Sequence, residues 1–392
     1  MPPPIGNIGG GVYWIPAFEV LEGRGFQVYL VNARHMKAVP GRKSDVQDCQ
    51  WIQKLHSVGL LTNSFRPDSE MCALRAYLRH RADLLQHRAS HILHMQKALQ
   101  QMNIQLAQVV TDITGATGLA ILRSIVAGER DGVKLAQLRD FRCKSSEDTI
   151  AKALMGTWKE EHVFALKQAL ALFDFYTQQI AQCDAQIQQR YAVMKPRWEG
   201  TPSTTTPPQP IRSWWKNAPA SDVRADIIRI TGVDIAAVVG IGPGLAQTIL
   251  AEIGTDMSKW PSAKHFASWC GVAPRNDVSG GKVLRSRTLP VRNRAGQAFR
   301  QAAQSVSRTS SVFGAFYRRK RAQGGPLFAQ AATANKIART VYHMLKFHVQ
   351  YDDMGAEEFE RQRRERDIKA LRARATKLGF TLVASDAVQT TP

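Results

Sequence analysis

The sequence predicts a mainly α-helical fold with three parts: a small α/β segment, a long antiparallel coiled coil, and a helical C-terminal domain. Three observations carry that reading. Met71, Leu78, Leu85, Ile92, Leu99 and Leu106 recur every seven residues, and a second register follows in Leu166, Phe173, Ile180, Ile187 and Met194. A short apolar run from Gln27 to Val31 ends at Asn32 and reads as a buried strand. Six prolines and a threonine run fill residues 196–221, marking a linker between the coiled coil and the C-terminal domain.

The opening residues set Met1 and three prolines against Gly9, Gly10 and Gly11, a context that predicts no strand to open a domain. Ser44 to Leu55 reads as a helix with Ser44 as its N-cap. In the first heptad region Leu74, Met95 and Met102 fill the second stripe, interrupted by Arg81 and Arg88. The two registers fold back most simply as an antiparallel hairpin, with pairing to a second copy as the alternative. The resulting boundaries are 1–66 for the α/β segment, 67–195 for the coiled-coil region and 196–222 for the linker. The C-terminal domain then takes 223–350 and a charged helical tail takes 351–392.

Charge narrows the function. Among 392 residues, 53 Lys and Arg face 32 Asp and Glu, a formal net charge of +21. Such a field favours a polyanion, because each neutralised phosphate releases condensed counterions. No run of about 18 apolar residues and no signal peptide points to a membrane. The five cysteines include no C-x-x-C pair, and their odd number argues against a disulfide framework. A reducing compartment is expected, the cytoplasm of a bacterial-type cell, with nucleoid association. His87, His91 and His94 stand at helical spacing among arginines and read as a solvated face before a metal cluster.

Three motifs carry chemistry. Asp45 and Asp48 sit three apart at a helix start, so both carboxylates project from one face and offer oxygen ligands to Mg²⁺. Acidic decoration of a helix N-terminus gives the same pattern. Gly240, Gly242 and Gly244 lie between two short helices, a helix-hairpin-helix-like element whose N–H groups could meet a phosphate. Glycine turns between helices are also common without that role. Ser279 precedes Gly280 and Gly281 in a loop crowded by Lys282, Arg285, Arg287, Arg292, Arg294 and Arg300. A hydroxyl there could attack a phosphodiester while the cations stabilise developing charge, although an ordinary polar turn has the same composition.

The order of these blocks resembles the insertion-sequence transposases related to the Piv and MooV DNA invertases. Gly11 to Trp14 matches the family's G-V-Y-W segment, and Lys43 to Asp48 its K-[ST]-D-x-x-D helix. Gly240 to Gly254, Trp269 to Leu284 and Asn293 to Ala303 match three further blocks, and Gly314 to Arg319 and Ala334 to Ala338 resemble the closing ones. The resemblance implies a RuvC-like (RNase H) domain with a D-E-D-D carboxylate set, a coiled coil and a serine-bearing C-terminal domain. Asp45 and Asp48 then match the third and fourth carboxylates, holding Mg²⁺, and Ser279 the serine that joins DNA. The basic residues, with Arg318, Arg319 and Lys336 from the closing motifs, become nucleic-acid contacts. A structured guide RNA and a homo-oligomer are implied as partners.

The chain departs from the pattern at two carboxylates. The strand expected to bear the first Asp is absent, and Ile8 stands where the family's Glu precedes the G-V-Y-W segment. Glu19 and Glu22 lie downstream on an expected helix and are not substitutes. An N-terminally truncated transposase is therefore the expectation. The rival is an inactive remnant that retains only nucleic-acid binding.

Overall fold

The structure is a computed structural model that describes residues 5–8, 12–31, 45–199, 217–219, 221–288 and 293–381. The chain divides into two units, Met1–Asp68 and Ser69–Pro392.

In the first unit, strand β1 (Ile5–Ile8) pairs in parallel with β2 (Val28–Val31), Ile5 opposite Val28 and Ile8 opposite Val31. The proline- and glycine-rich start thus does contain a strand. Parallel strands need a crossover, and helix α1 (Trp14–Gly23) supplies it. On α1, Phe18 is buried, and the Arg66 guanidinium lies 4.5 Å from the centre of its ring. The same guanidinium donates to Glu19 at 2.9 Å and Glu22 at 3.4 Å, so those two carboxylates serve α1 packing. Along β2, the Leu30 N–H donates to Asn63 Oδ1 and its carbonyl accepts from the Ser64 N–H. Helix α2 (Asp45–Ser57) follows at the predicted place, while its predicted cap Ser44 lies outside the described residues.

The second unit is built on α3 (Ser69–Gln101) and α8 (Glu160–Val193), which pack along their length within one chain. The pairing runs antiparallel: Tyr77 accepts from the Cys183 thiol, Arg81 meets Asp184 and Arg88 reaches Thr177. Met71, Leu74, Met95 and Leu99 are buried from one helix, and Leu166, Phe173, Ile180 and Ile187 from the other. The heptads do not run on to Leu106 as one helix. Asn103 takes a left-handed backbone (φ 57°), which Asn tolerates better than most residues, and the helix stops at Gln101. Leu106 instead opens α4 (Leu106–Val109). Then come α5 (Ala116–Val126), α6 (Gly132–Ala136) and α7 (Glu147–Ala153). Ile121, Leu122, Leu135 and Ile150 join Met95, Leu99 and Leu166 in one core, so residues 67–195 hold a helical cluster beside the paired helices.

Arg81 explains one break in the apolar stripe. It is buried, paired with Asp184, and donates to the carbonyls of Asn217 and Ala218. A buried charge survives only with such partners. Most of the predicted linker, 200–216, lies outside the described residues.

The C-terminal region adds α9 (Val223–Thr231), α10 (Pro243–Ile253) and α11 (Ala263–Trp269). Helices α12 (Arg294–Ser305), α13 (Val312–Phe347) and α14 (Gly355–Lys377) complete it. Helix α13 bends at Gly324 and Gly325, whose backbones leave helical geometry ahead of Pro326. Trp260, Phe266, Phe299 and Tyr342 form an aromatic core, and the Tyr342 hydroxyl donates to the Trp260 carbonyl at 2.8 Å. The region is not wholly helical: β3 (Pro274–Ser279) and β4 (Lys282–Thr288) form an antiparallel hairpin. On α10, the largely buried Glu252 carboxylate accepts from Arg79 of α3 at 2.8 to 3.0 Å and lies 3.8 Å from Arg75. That ion pair ties the region to the paired helices.

Candidate functional site

The site is built around the β3–β4 hairpin. Gly280 (φ 54°) and Gly281 (φ 76°) form its two-residue turn, with successive left-handed backbones that suit glycine and match the strand twist. Ser279 is thus the last residue of β3, exposed beside the turn and paired across it with Lys282. It ends a strand, where the sequence suggests only a loop. Asp277 stands opposite Arg285 and Arg275 opposite Arg287, with a register shift between Asp277 and Val278. Val278, Val283 and Leu284 are all more than half exposed, so the hairpin buries little apolar surface of its own.

A lone hairpin is marginally stable, so its position depends on its base. Three side chains from two later helices and their caps clamp the segment entering β3. Asn293 donates to the Trp269 carbonyl at 3.2 Å, Arg300 to that of Gly271, and Asn335 to that of Val272 at 3.3 Å. Gly296 lets α12 press onto the same segment: a Cβ there would stand 1.9 Å from the Cys270 carbonyl oxygen. Cys270 itself is buried, and burial pushes its thiol far above the ordinary range, so it is no nucleophile. The clamp residues Asn293 and Asn335 are not among the site residues the sequence predicts. Their signal is their place inside the ordered blocks.

The predicted cations divide into two groups. Lys282 and Arg285 are exposed on β4, and Arg294 is half-buried at the start of α12. Arg287 lies in β4 with its side chain outside the described residues, as is all of Arg292. Arg300 instead serves the clamp. Arg318 donates to the Thr309 carbonyl at 2.8 Å and Arg319 lies over Phe316 at 5.1 Å. Lys336 sits in an aromatic cage, 4.3 Å from the ring centre of Phe359 and 4.8 Å from that of Phe316. Burial, then the charges of Arg319 and Arg366, push its amine down to about 8.

In the glycine turn, Gly240 has a packing role, while Gly244 is exposed with open space around it. Gly240 has φ 96°, and a Cβ on it would meet Val306 at 2.5 Å and the Ala302 carbonyl at 2.7 Å. Close packing onto the end of α12 therefore accounts for that glycine. Gly242 caps α10 with an extended backbone.

Asp45 and Asp48 occupy the first turn of α2 in the other unit. Asp48 is half-buried, and the Asp45 side chain lies outside the described residues. A divalent cation seeks about six oxygens. Among the described residues no three of His, Cys, Asp and Glu gather as a metal site, and Arg66 engages Glu19 and Glu22. The described residues do not by themselves complete such a site. His87 and His91 each stack on Tyr176, with ring centres 5.6 and 5.4 Å away.

Two comparisons with known families now bear on the chain. A model described as Transposase, of the DEDD type of IS110 elements, matches residues 7–104, and the Transposase IS116/IS110/IS902 family model matches residues 234–318. Each matched segment is thus similar to a transposase domain of IS110-type elements. The second of these encloses the hairpin, Ser279 and the start of the clamp, whereas Asn335 lies beyond it. The protein assigned as mini-circle transposase for IS117 in Streptomyces coelicolor is 32% identical over 118 residues. That match covers 30% of this chain and 28% of the relative's length. Among the described residues, no helix is long and apolar enough to cross a membrane.

Proposed function

We propose that the chain acts on DNA as a transposase by serine-mediated strand exchange, with Ser279 as nucleophile. The supporting observation is the exposed place of Ser279 at a two-glycine turn, on a hairpin clamped at its base within the matched transposase domain. The Ser279 hydroxyl oxygen attacks the scissile phosphorus and forms a phosphoserine ester. The bond from phosphorus to the leaving deoxyribose oxygen breaks, and that oxygen takes up the proton the serine gives up. Attack by another strand's hydroxyl on the ester reverses the step and joins new ends without external energy. Lys282, directly across the turn from Ser279, and Arg285 further along β4 supply positive charge on the side of the developing oxyanion. The resemblance to Piv- and MooV-related transposases further suggests a structured guide RNA and a multimeric assembly. Asp45 and Asp48 would contribute to divalent-metal binding, Mg²⁺ by chemistry.

Trapping tests the reading: incubation with element-end DNA carrying a nick that prevents rejoining should yield a covalent adduct. Peptide mapping by mass spectrometry should place it on Ser279.

The second reading is a chain that binds nucleic acid without cutting it. Ile8 at the end of β1, where the resemblance expects a carboxylate, favours it. Salt-sensitive DNA binding with no adduct under any divalent cation would select this reading.

A further inference from the structure

We propose that the C-terminal half of α14, Ile368–Lys377, is a second DNA-binding surface, an arm that engages a duplex groove apart from the hairpin. This rests on the DNA reading above, but on different residues, outside both matched segments.

Helix α14 has two unlike halves. Up to Asp367, five carboxylates (Glu357, Glu358, Glu360, Glu365, Asp367) offset four arginines (Arg361, Arg363, Arg364, Arg366). Arg361 pairs with Glu358 and Glu365, and Arg363 with Glu360 and Asp367. This half is also anchored. Phe359 packs under the Lys336 amine, the Ala356 N–H donates to the Ser310 carbonyl, and Asp353 accepts from the Val312 and Gly355 N–H groups.

From Ile368 to Thr381 there is no acidic residue, while Lys369, Arg372, Arg374 and Lys377 are all exposed. Among the described residues no carboxylate pairs with any of them. No residue of α14 is buried, so its outer half is held by helix propensity, with Ala370, Ala373 and Ala375 between the cations. A rigid helix carrying uncompensated charge, fixed at its inner end, suits a polyanion.

The geometry narrows the occupant to a duplex. At about 100° per residue, Arg372 and Arg374 lie about 160° apart, and the four cations cover an arc of about 200°. Lys369 to Lys377 spans about 12 Å along the axis, and a helix about 10–12 Å across fits the roughly 12 Å wide B-DNA major groove. A helix entering a groove has phosphates on both flanks, which this arc can reach together. Ile368, Leu371 and Leu378 form the uncharged stripe, too short for a stable coiled coil. Parallel self-pairing along that stripe would also set the four cations of each copy beside those of the other.

The test compares salt dependence of duplex DNA binding by the full chain. Replacing the four cations (Lys369→Gln, Arg372→Gln, Arg374→Gln, Lys377→Gln) should lower the slope of log Kobs against log salt by about 3 to 4 if each meets a phosphate. The control Arg361→Gln/Arg363→Gln removes two cations already paired in the same helix and should change the slope by less than about 1. A salt-dependent wild type whose slope the fourfold variant leaves intact would overturn the arm alone. So would an equal loss in the control, a loss confined to duplex RNA, or a change in sedimenting mass instead of affinity. A flat wild-type slope would overturn the DNA reading, and the arm with it.

Discussion

A single methyl group at position 296 should loosen the base of the hairpin. In Gly296→Ala the new Cβ would start 1.9 Å from the Cys270 carbonyl oxygen, and side-chain carbons essentially never come within 3.0 Å of such an atom. The obstacle is backbone, held by the neighbouring clamp at Gly271 and Trp269, so no side chain can rotate away. Helix α12 or the entering strand must move by roughly 1 Å. Two effects oppose each other. Alanine in place of glycine inside a helix contributes up to about 1 kcal/mol of stability. Overpacking a close contact costs typically about 1–3 kcal/mol and occasionally more. The second should win, for a net loss of about 1–2 kcal/mol, read by urea unfolding followed through tryptophan fluorescence. Under the proposed function the same 1 Å shift at the catalytic serine should lower strand transfer by up to about 100-fold. DNA affinity should change little. A Gly296→Ala protein as stable as wild type would refute the clamp reasoning.

Three further outcomes are expected. Glu252→Ala leaves Arg75 and Arg79 facing each other without their carboxylate, and should cost about 2–3 kcal/mol in urea unfolding. This is below the figure for a fully buried pair, because Arg79 is 43% exposed and regains water; a shift under about 0.5 kcal/mol would refute it. Lys336, held near 8 against an ordinary 10.5, is neutral in the fold over a range where the unfolded chain still protonates it. Its contribution to stability should therefore rise from pH 8 to 10.5 and be constant below pH 8, as read from the difference between wild type and Lys336→Met. A pH-independent difference would remove the buried-amine account. Titration calorimetry should show weak Mg²⁺ binding, since one Asp45–Asp48 pair leaves most of six positions to water. A tight stoichiometric site lost in Asp45→Ala would show that other carboxylates complete it.

Much of the framework was legible in the residues. The V-Y-L-V run gives β2, and the two apolar registers give the seam of α3 and α8, on which Leu78, Leu85 and Ile92 are only half-buried. What escaped depends on partners far along the chain. Arg81 reads as a fault in a heptad, yet Asp184 lies 103 positions away and makes it a specific pairing. Asn335 bonds a carbonyl 63 positions earlier, so the motif is visible in sequence but its task is not. Gly240 shows why glycine is ambiguous: a phosphate cradle and a tight helix contact ask for the same missing Cβ. The hairpin could have been found, because Ser279–Lys282 with glycines between and Val278 and Val283 outside is a two-residue turn signature. Lys336 looks like any surface cation until Phe359, on another helix, closes its cage.

The central claim is that the Ser279 hydroxyl makes and breaks the phosphodiester. The direct measurement is the recombination rate of paired element-end and target DNA, for wild type and Ser279→Ala side by side. The substitution removes one exposed oxygen beside a turn fixed by Gly280 and Gly281, so folding and DNA affinity should be nearly unchanged. The alanine protein should bind DNA like wild type but yield no covalent adduct and no recombinant product. Recombination by Ser279→Ala at the wild-type rate would contradict the claim.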